Sequence, residues 1–488
     1  MRVPKLPAPS ITAVRDAGAF MTDLMTPALR LGVTGLSRAG KTVFITALIR
    51  NLVSGGRLPF FAPHAQRRIQ RAYLEPQPDD AVPRFDYEAH VAALSADPPS
   101  WPESTRRISE VRITIEYQSQ SPLRRTLGTG KLHLDIVDYP GEWLIDLGLM
   151  EQSFEAWSAE ALALADARAE EAGEFLAFLA ALPDDDAEQI AIRGAAIYAR
   201  YLEAARTSDA GLATLGPGRF LTPGDLEGSP LVTFFPFVAT TRRATAAKPD
   251  LEKLLRQRFK SYKEKVVVPF FRDHFSRLDR QVVLIDALGA LNRGPKAVQD
   301  LERALSAVLK AFRPGSHSWL NLLINRRRID RLVFAATKAD HLPSTSHDRL
   351  EAILTAMTAR ASSRATSAGA DVHVLAMAAL RSTREAEAKD GSDRLRLIVG
   401  VPLAGEMIGT TRFDGMTETA IFPGDLPADP QSIFATGRAE PAGTNPALRF
   451  LRFRPPRLQS HGKSGEVPPA PHIRLDRALD VLLSDYLA

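Results

Sequence analysis

Apolar positions fall into short runs of strand length separated by stretches with helical spacing. Strand-like runs occur at Leu29–Thr34, Val111–Tyr117, Leu132–Val137, Gln281–Asp286, Arg331–Ala336 and Val372–Met377. Val111–Tyr117 alternates apolar and polar residues, as a half-exposed strand does. The last three runs read as strands buried on both faces. Gly128, Thr129 and Gly130 between the second and third runs predict an antiparallel hairpin. Helical spacing appears at 11–26 (Ile11, Val14, Phe20, Met21, Leu24, Met25) and at 41–52 (Val43, Phe44, Ala47, Leu48, Leu52). It returns at 297–311, at 346–364 and in an amphipathic stretch from Arg474 to Leu487. Strands alternating with helices predict a mostly parallel sheet covered on both faces.

Two regions break this alternation. Residues 55–104 are proline-rich and without period, which predicts a long irregular arm. From Leu149 to Phe271 alanine, leucine and glutamate dominate, interrupted by Pro183, Asp184–Asp186 and the loop Gly216–Pro230. This block reads as a helical domain inserted into the α/β core, with its last helix at about 249–276. Residues 395–465 carry prolines, glycines and short β-like pieces with no evident fold. The expected segments are 1–28, 29–148, 149–278, 279–394, 395–470 and 471–488.

Composition narrows the functional classes. With 488 residues, 45% apolar and 24% charged, the chain resembles an ordinary globular protein of several domains. Its net charge of +5 is the remainder of 62 basic and 57 acidic residues, a mixture that makes no nucleic-acid footprint. The absence of cysteine excludes disulfides, thiolate metal sites and cysteine nucleophiles, and fits a reducing cytosol. No run reaches transmembrane length and Met1–Ser10 lacks a signal-peptide core, so a cytoplasmic protein is expected, with peripheral membrane attachment open.

Gly35-Leu36-Ser37-Arg38-Ala39-Gly40-Lys41-Thr42 matches G-x-x-x-x-G-K-[ST], between a strand and a helix as that motif requires. Such a loop turns backbone N–H groups onto phosphates. The candidate cradle is Gly35, Ser37, Arg38, Ala39, Gly40, Lys41, Thr42 and Val43, with Lys41 on the β- and γ-oxygens and Thr42 on Mg2+. Asp138-Tyr139-Pro140-Gly141 ends a strand: Asp138 can hold Mg2+ through water, and the Gly141 N–H can sense a γ-phosphate. Thr337-Lys338-Ala339-Asp340 ends another. Its carboxylate can accept the parallel N1–H and N2–H donors of guanine, a pair adenine lacks, while the Lys338 stem packs along the base. Alone, either of the last two could be an ordinary turn; their order behind a phosphate loop points to a G-protein-like hydrolase. The fold class expected is therefore α/β, a P-loop hydrolase with a G-domain-like sheet, an inserted helical domain and a small C-terminal β-containing region.

These motifs, together with Leu291-Asn292-Arg293-Gly294-Pro295, Phe422-Pro423-Gly424-Asp425 and Phe453-Arg454-Pro455-Pro456, resemble the YcjX family of bacterial stress-associated proteins. The resemblance covers essentially the whole chain. It implies nucleotide binding, a helical insertion and a cytoplasmic or membrane-associated place, without a defined client. Members are often labelled ATPases yet carry G-protein motifs.

Other candidates are less distinctive. Thr105, with Ser104 as its alternate, lies where a switch hydroxyl completing the Mg2+ shell must be, though an exposed loop hydroxyl is the plainer reading. Glu142 takes the place where small GTPases put a water-orienting Gln. It could act as a base or turn away while another group acts. Arg38 could supply positive charge in cis, or be solvated. Ala379, within Ala378–Ser382, sits where a small-residue loop would meet the base. Asp286 and Asn292–Gly294 read as turn-formers, and His133, His341 and His373 as structural. The function expected is a GTPase switch binding GTP or GDP with Mg2+ and meeting a protein partner, in one view membrane-associated. The alternatives are an ATPase of the same superfamily and a nucleotide-stabilised scaffold.

Overall fold

Residue alternation sorts the central strands onto two faces. In the strand Arg280–Ile285, Val282 and Leu284 join a core with Leu31, Val33, Phe44 and Leu48, whereas Val283 and Ile285 join another with Leu350, Ile353 and Leu354. The structure, a computed structural model, describes residues 26–35, 39–103, 105–122, 128–207, 216–238, 249–310, 329–390, 393–434, 448–459 and 467–488. The helix expected at 11–26 lies outside them, apart from its last residue.

The main sheet contains β1 (Ala28–Gly35), β2 (Ile69–Glu75), β3 (Ser109–Tyr117), β4 (Gly130–Asp138), β5 (Arg280–Ile285), β6 (Arg331–Ala336) and β7 (Asp371–Ala376). These seven strands lie in the order β2-β3-β4-β1-β5-β6-β7. The strands from β4 to β7 in that order are parallel, and β3 and β2 add antiparallel at one edge. Helices Lys41–Val53 and Leu475–Leu483 cover one face; Ala287–Arg293, Pro295–Lys310 and His347–Ser367 cover the other. The C-terminal end is anchored by buried Arg280, which donates to Leu482 O (2.7 Å), Asp485 Oδ1 (2.6 Å) and Asp330 Oδ1 (3.0 Å).

The arm expected to be irregular contains β2 and a helix, Tyr87–Ser95, capped by the Asp86 carboxylate on the Ala89 N–H (3.1 Å). β2 escapes pattern reading because only Ala72 along it is buried; its other side chains are polar or half-exposed, as at a sheet edge. Its Arg71 meets Glu116 of β3.

Between β4 and β5 the chain forms helices at Phe154–Asp166, Gly173–Ala180, Ala187–Thr207, Pro249–Tyr262 and Val268–Asp273. They enclose an aromatic core in which Trp157 stacks on Phe259 at 5.0 Å. The same core includes Trp143, Leu144 and Leu147 of the 3₁₀ segment Gly141–Glu151, which directly follows the Asp138 loop. After β7 come β8 (Arg384–Asp390), β9 (Asp393–Gly400), β10 (Met407–Ile408), β11 (Thr411–Arg412) and β12 (Thr419–Ile421). Three of these form a small antiparallel sheet, β12-β9-β8, and β10 pairs with β11. The β8–β9 hairpin takes residues from both sides of position 394.

Candidate functional site

Parallel strands end along one edge, and the register sets which loops meet there. Val33 of β1 pairs with Asp138 at the end of β4, and Gly35 pairs with Leu284 of β5. Ile285 pairs with Ala336 of β6, just before Thr337. A crevice at the carboxyl ends of such strands is where ligands of open α/β sheets bind. Here it is a cavity of about 570 Å³, lined among others by Lys41, Thr42, Thr105, Glu142, Lys338 and Asp340.

At one end stands the glycine-bounded loop. Gly40 has φ 87°, a left-handed conformation that glycine adopts without a Cβ penalty, and starts the helix Lys41–Val53. The Lys41 side chain is buried and its Nζ donates to Gly35 O (2.9 Å). Ala39, Thr42 and Val43 line the cavity with it. Ser37 and Arg38 lie outside the described residues. Thr105 Oγ1 donates to Asp138 Oδ2 (2.6 Å), and the Thr42 and Thr105 hydroxyls are 3.1 Å apart. Asp138 is 1% exposed, and its Oδ1 is buried with no hydrogen-bond partner among the described residues. Burial pushes this carboxyl up to about 6, against the pull of the Lys41 ammonium and the Thr105 hydroxyl. Two hydroxyls and one carboxylate with an unused oxygen form an all-oxygen donor set of the kind Mg2+ takes alongside phosphate oxygens. Among the described residues no group of three or more His, Cys, Asp or Glu could hold a metal ion without such help.

Gly141 packs directly on the loop: a Cβ there would lie 2.0 Å from Gly35 O and 3.0 Å from Lys41 Nζ. The next residue, Glu142, faces the cavity, and its Oε1 accepts from Arg206 Nη1 at 3.2 Å.

At the other end Lys338 has φ 61° and pairs with Asp286. Burial works against ionised Asp286, but the Lys338 ammonium holds its carboxyl below the ordinary range. Asp286 does shape a turn, capping Ala287–Arg293 through the Gly289 N–H (3.0 Å). It also lines the cavity, as do Leu288 and the expected turn-formers Asn292 and Arg293. Their signal was their place at the carboxyl end of β5. Asp340 Oδ2 accepts from the Ser382 N–H (2.8 Å) and hydroxyl (2.7 Å), so the loop Ala378–Ser382 and Asp340 are fixed together, with Ala379 on the wall. A carboxylate has about four acceptor positions, so Asp340 keeps capacity for donors from a ligand.

One wall had no counterpart in the sequence reading. Leu403, Glu406 and Phe450–Phe453, from the region whose fold was unreadable, close this end of the cavity. His341 packs edge-on to Phe453 (5.0 Å), and burial lowers its pKa. Trp101, from the arm carrying Thr105, donates its indole N–H to Phe453 O (2.7 Å).

A profile describing the YcjX-like family, DUF463, matches residues 29–487. The chain is 35% identical over 476 residues to a protein of Escherichia coli (strain K12) named Ras-like GTPase YcjX, covering 94% of this chain and 96% of that one. It is 33% identical over 484 residues to a Shewanella oneidensis protein of the same name, covering 94% of each. With a matched profile from β1 through the C-terminal helix, and two relatives aligned over nearly their full length, this chain belongs to the YcjX-like family.

Proposed function

We propose that the chain binds GTP with Mg2+ along this cavity, hydrolyses it, and changes the arm and the Asp138 loop according to which nucleotide is bound. The observation carrying this reading is the buried Asp138 oxygen that has no partner among the described residues, held beside Thr42, Thr105 and Lys41 at one end of a cavity whose other end holds Asp340. Lys41 would leave Gly35 O for phosphate oxygens, a charge-assisted contact stronger than the one it gives up. Thr42, Thr105 and Asp138 would hold the magnesium ion, which supplies charge to the transferring phosphoryl group when bound. Gly141, against the phosphate loop, would place its N–H where a γ-phosphate is felt. Asp340 would choose guanine through its paired N–H donors, with Lys338 and Ala379 beside the base. The name Ras-like GTPase carried by the two relatives supports the same base and reaction. Among the described residues no helix is long and apolar enough to cross a membrane, and a cytoplasmic or membrane-peripheral protein would meet GTP directly.

Titration of the purified chain with GDP and ADP in the presence of Mg2+ tests this. GDP should bind at least tenfold more tightly, and Asp340→Asn should erase the preference. In that variant the amide faces the guanine N2 amine with a donor and matches xanthine, which has an oxygen there. Xanthosine diphosphate should therefore gain affinity. Tighter binding of ADP by the parent chain would overturn the base assignment.

A further inference from the structure

The helices between β4 and β5 grip the segment that follows Asp138. Gly218 N–H and Tyr262 O–H each donate to the buried Asp146 carboxylate at 2.6 Å, and the Trp143 indole donates to Thr222 O at 2.9 Å. These contacts hold backbone and core. A further one reaches the cavity itself: Arg206, in the last turn of helix Ala187–Thr207, donates Nη1 to Glu142 Oε1 at 3.2 Å. Its Nη2 donates to Glu203 Oε1 at 2.8 Å, so the guanidinium is fixed at two points. Glu142 itself is 8% exposed.

A carboxylate in that position presents an electrostatic problem. It adjoins Gly141, the residue packed on the phosphate loop, and a negative charge there repels a γ-phosphate in a water-poor site where charges interact strongly. A buried carboxylate needs a paired cation. We infer that Arg206 is that cation and a positioning residue for the reaction: it cancels the Glu142 charge towards the γ-phosphate and holds the carboxylate so that Oε2 accepts a proton of the attacking water. The oxygen of that water bonds to the γ-phosphorus as the bond from the γ-phosphorus to the β–γ bridging oxygen breaks, and the nucleoside diphosphate leaves with that bridging oxygen. The helical block thereby controls turnover through one side chain. This rests on the nucleotide-binding reading of the cavity.

Loss of Arg206 leaves Glu142 buried and unpaired, so triphosphate should suffer and diphosphate should not. The full-length chain and its R206A, R206K, E142Q and R206A/E142Q variants would be titrated with diphosphate and with a non-hydrolysable triphosphate, using guanine and adenine forms in parallel. Single-turnover hydrolysis would be followed on the same proteins. R206A should weaken triphosphate relative to diphosphate by about tenfold, the scale of one charge-assisted hydrogen bond. It should slow hydrolysis at least as much. R206K should recover part of both losses. On the E142Q background, where no charge needs cancelling, removing Arg206 should change the triphosphate-to-diphosphate ratio less than twofold. An equal effect of R206A on both backgrounds, or an unchanged ratio in R206A, would overturn the assignment while leaving nucleotide binding intact. A parent chain that binds no nucleotide would overturn both readings together.

Discussion

Asp138 is poorly accommodated as a buried carboxylate, and Asp138→Asn should therefore stabilise the nucleotide-free protein; under the proposed function it should also remove the response to Mg2+. The carboxyl titrates at about 6 in the fold against an ordinary 3.8, a preference of about 3 kcal/mol for the uncharged form. Asparagine keeps an acceptor for the Thr105 hydroxyl but brings an N–H₂ that must find partners, at a cost of about 1 kcal/mol. The net gain near pH 7.5 is about 2 kcal/mol. Unfolding entropy of roughly 2.1 cal/mol/K per residue makes this about 2 °C in Tm for a chain of this length. Because the folded pKa lies above the unfolded one, the ionised form is the destabilised one. The advantage of the variant is thus complete above pH 6 and fades as pH falls towards 3.8. Saturating Mg2+ and GDP should reverse the order. Nucleotide at one hundred times its Kd adds about 2.7 kcal/mol to the parent, and the variant should gain much less. Thermal melts at pH 7.5 and pH 5, with and without Mg2+ and GDP, read all of these outcomes. A variant that melts below the parent without nucleotide, or gains as much from Mg2+ and GDP, would refute the reasoning.

Other perturbations test neighbouring parts. Gly141→Ala places a methyl 2.0 Å from Gly35 O; the loop must move off the phosphate loop, and triphosphate affinity should fall at least tenfold, measured by equilibrium titration. Wild-type triphosphate affinity in Gly141→Ala would show that the contact has no bearing on binding. Arg280→Met leaves Asp330 and Asp485 without their shared guanidinium. Because both carboxylates are partly exposed and Asp485 keeps Arg331, it should cost about 1 kcal/mol, seen as a lower urea midpoint, with earlier protease cleavage near the C-terminal helix. An unchanged midpoint would mean that the apolar face of Leu475–Leu483 docks unaided.

Sequence and structure divided the information unevenly, for physical reasons. The strands that become β1, β4, β5 and β6 were legible because their apolar positions recur at strand spacing, and the Gly35–Thr42 motif because it sets glycine, lysine and a hydroxyl at fixed positions. Asp138 was legible as the acid that ends β4, and Asp340 as the acid in the loop that follows β6. β2 was not legible, because an edge strand with polar faces carries no apolar signature. The small C-terminal sheet was legible only as a β-containing region, because β8 intersperses charged residues with alanine and β12 spans three residues.

What the sequence determined by itself, then, were local patterns: which segments bury themselves and where the glycine-bounded motif ending in Lys41 and Thr42 falls. Tertiary structure alone decided the contacts between residues far apart in the chain. It brought Thr105 to Asp138, Ser382 to Asp340, Phe453 to the cavity wall and Arg206 to Glu142. Nothing in the spacing of those residues encodes the pairs, because each contact depends on where the sheet order and the intervening helices place two distant ends of chain.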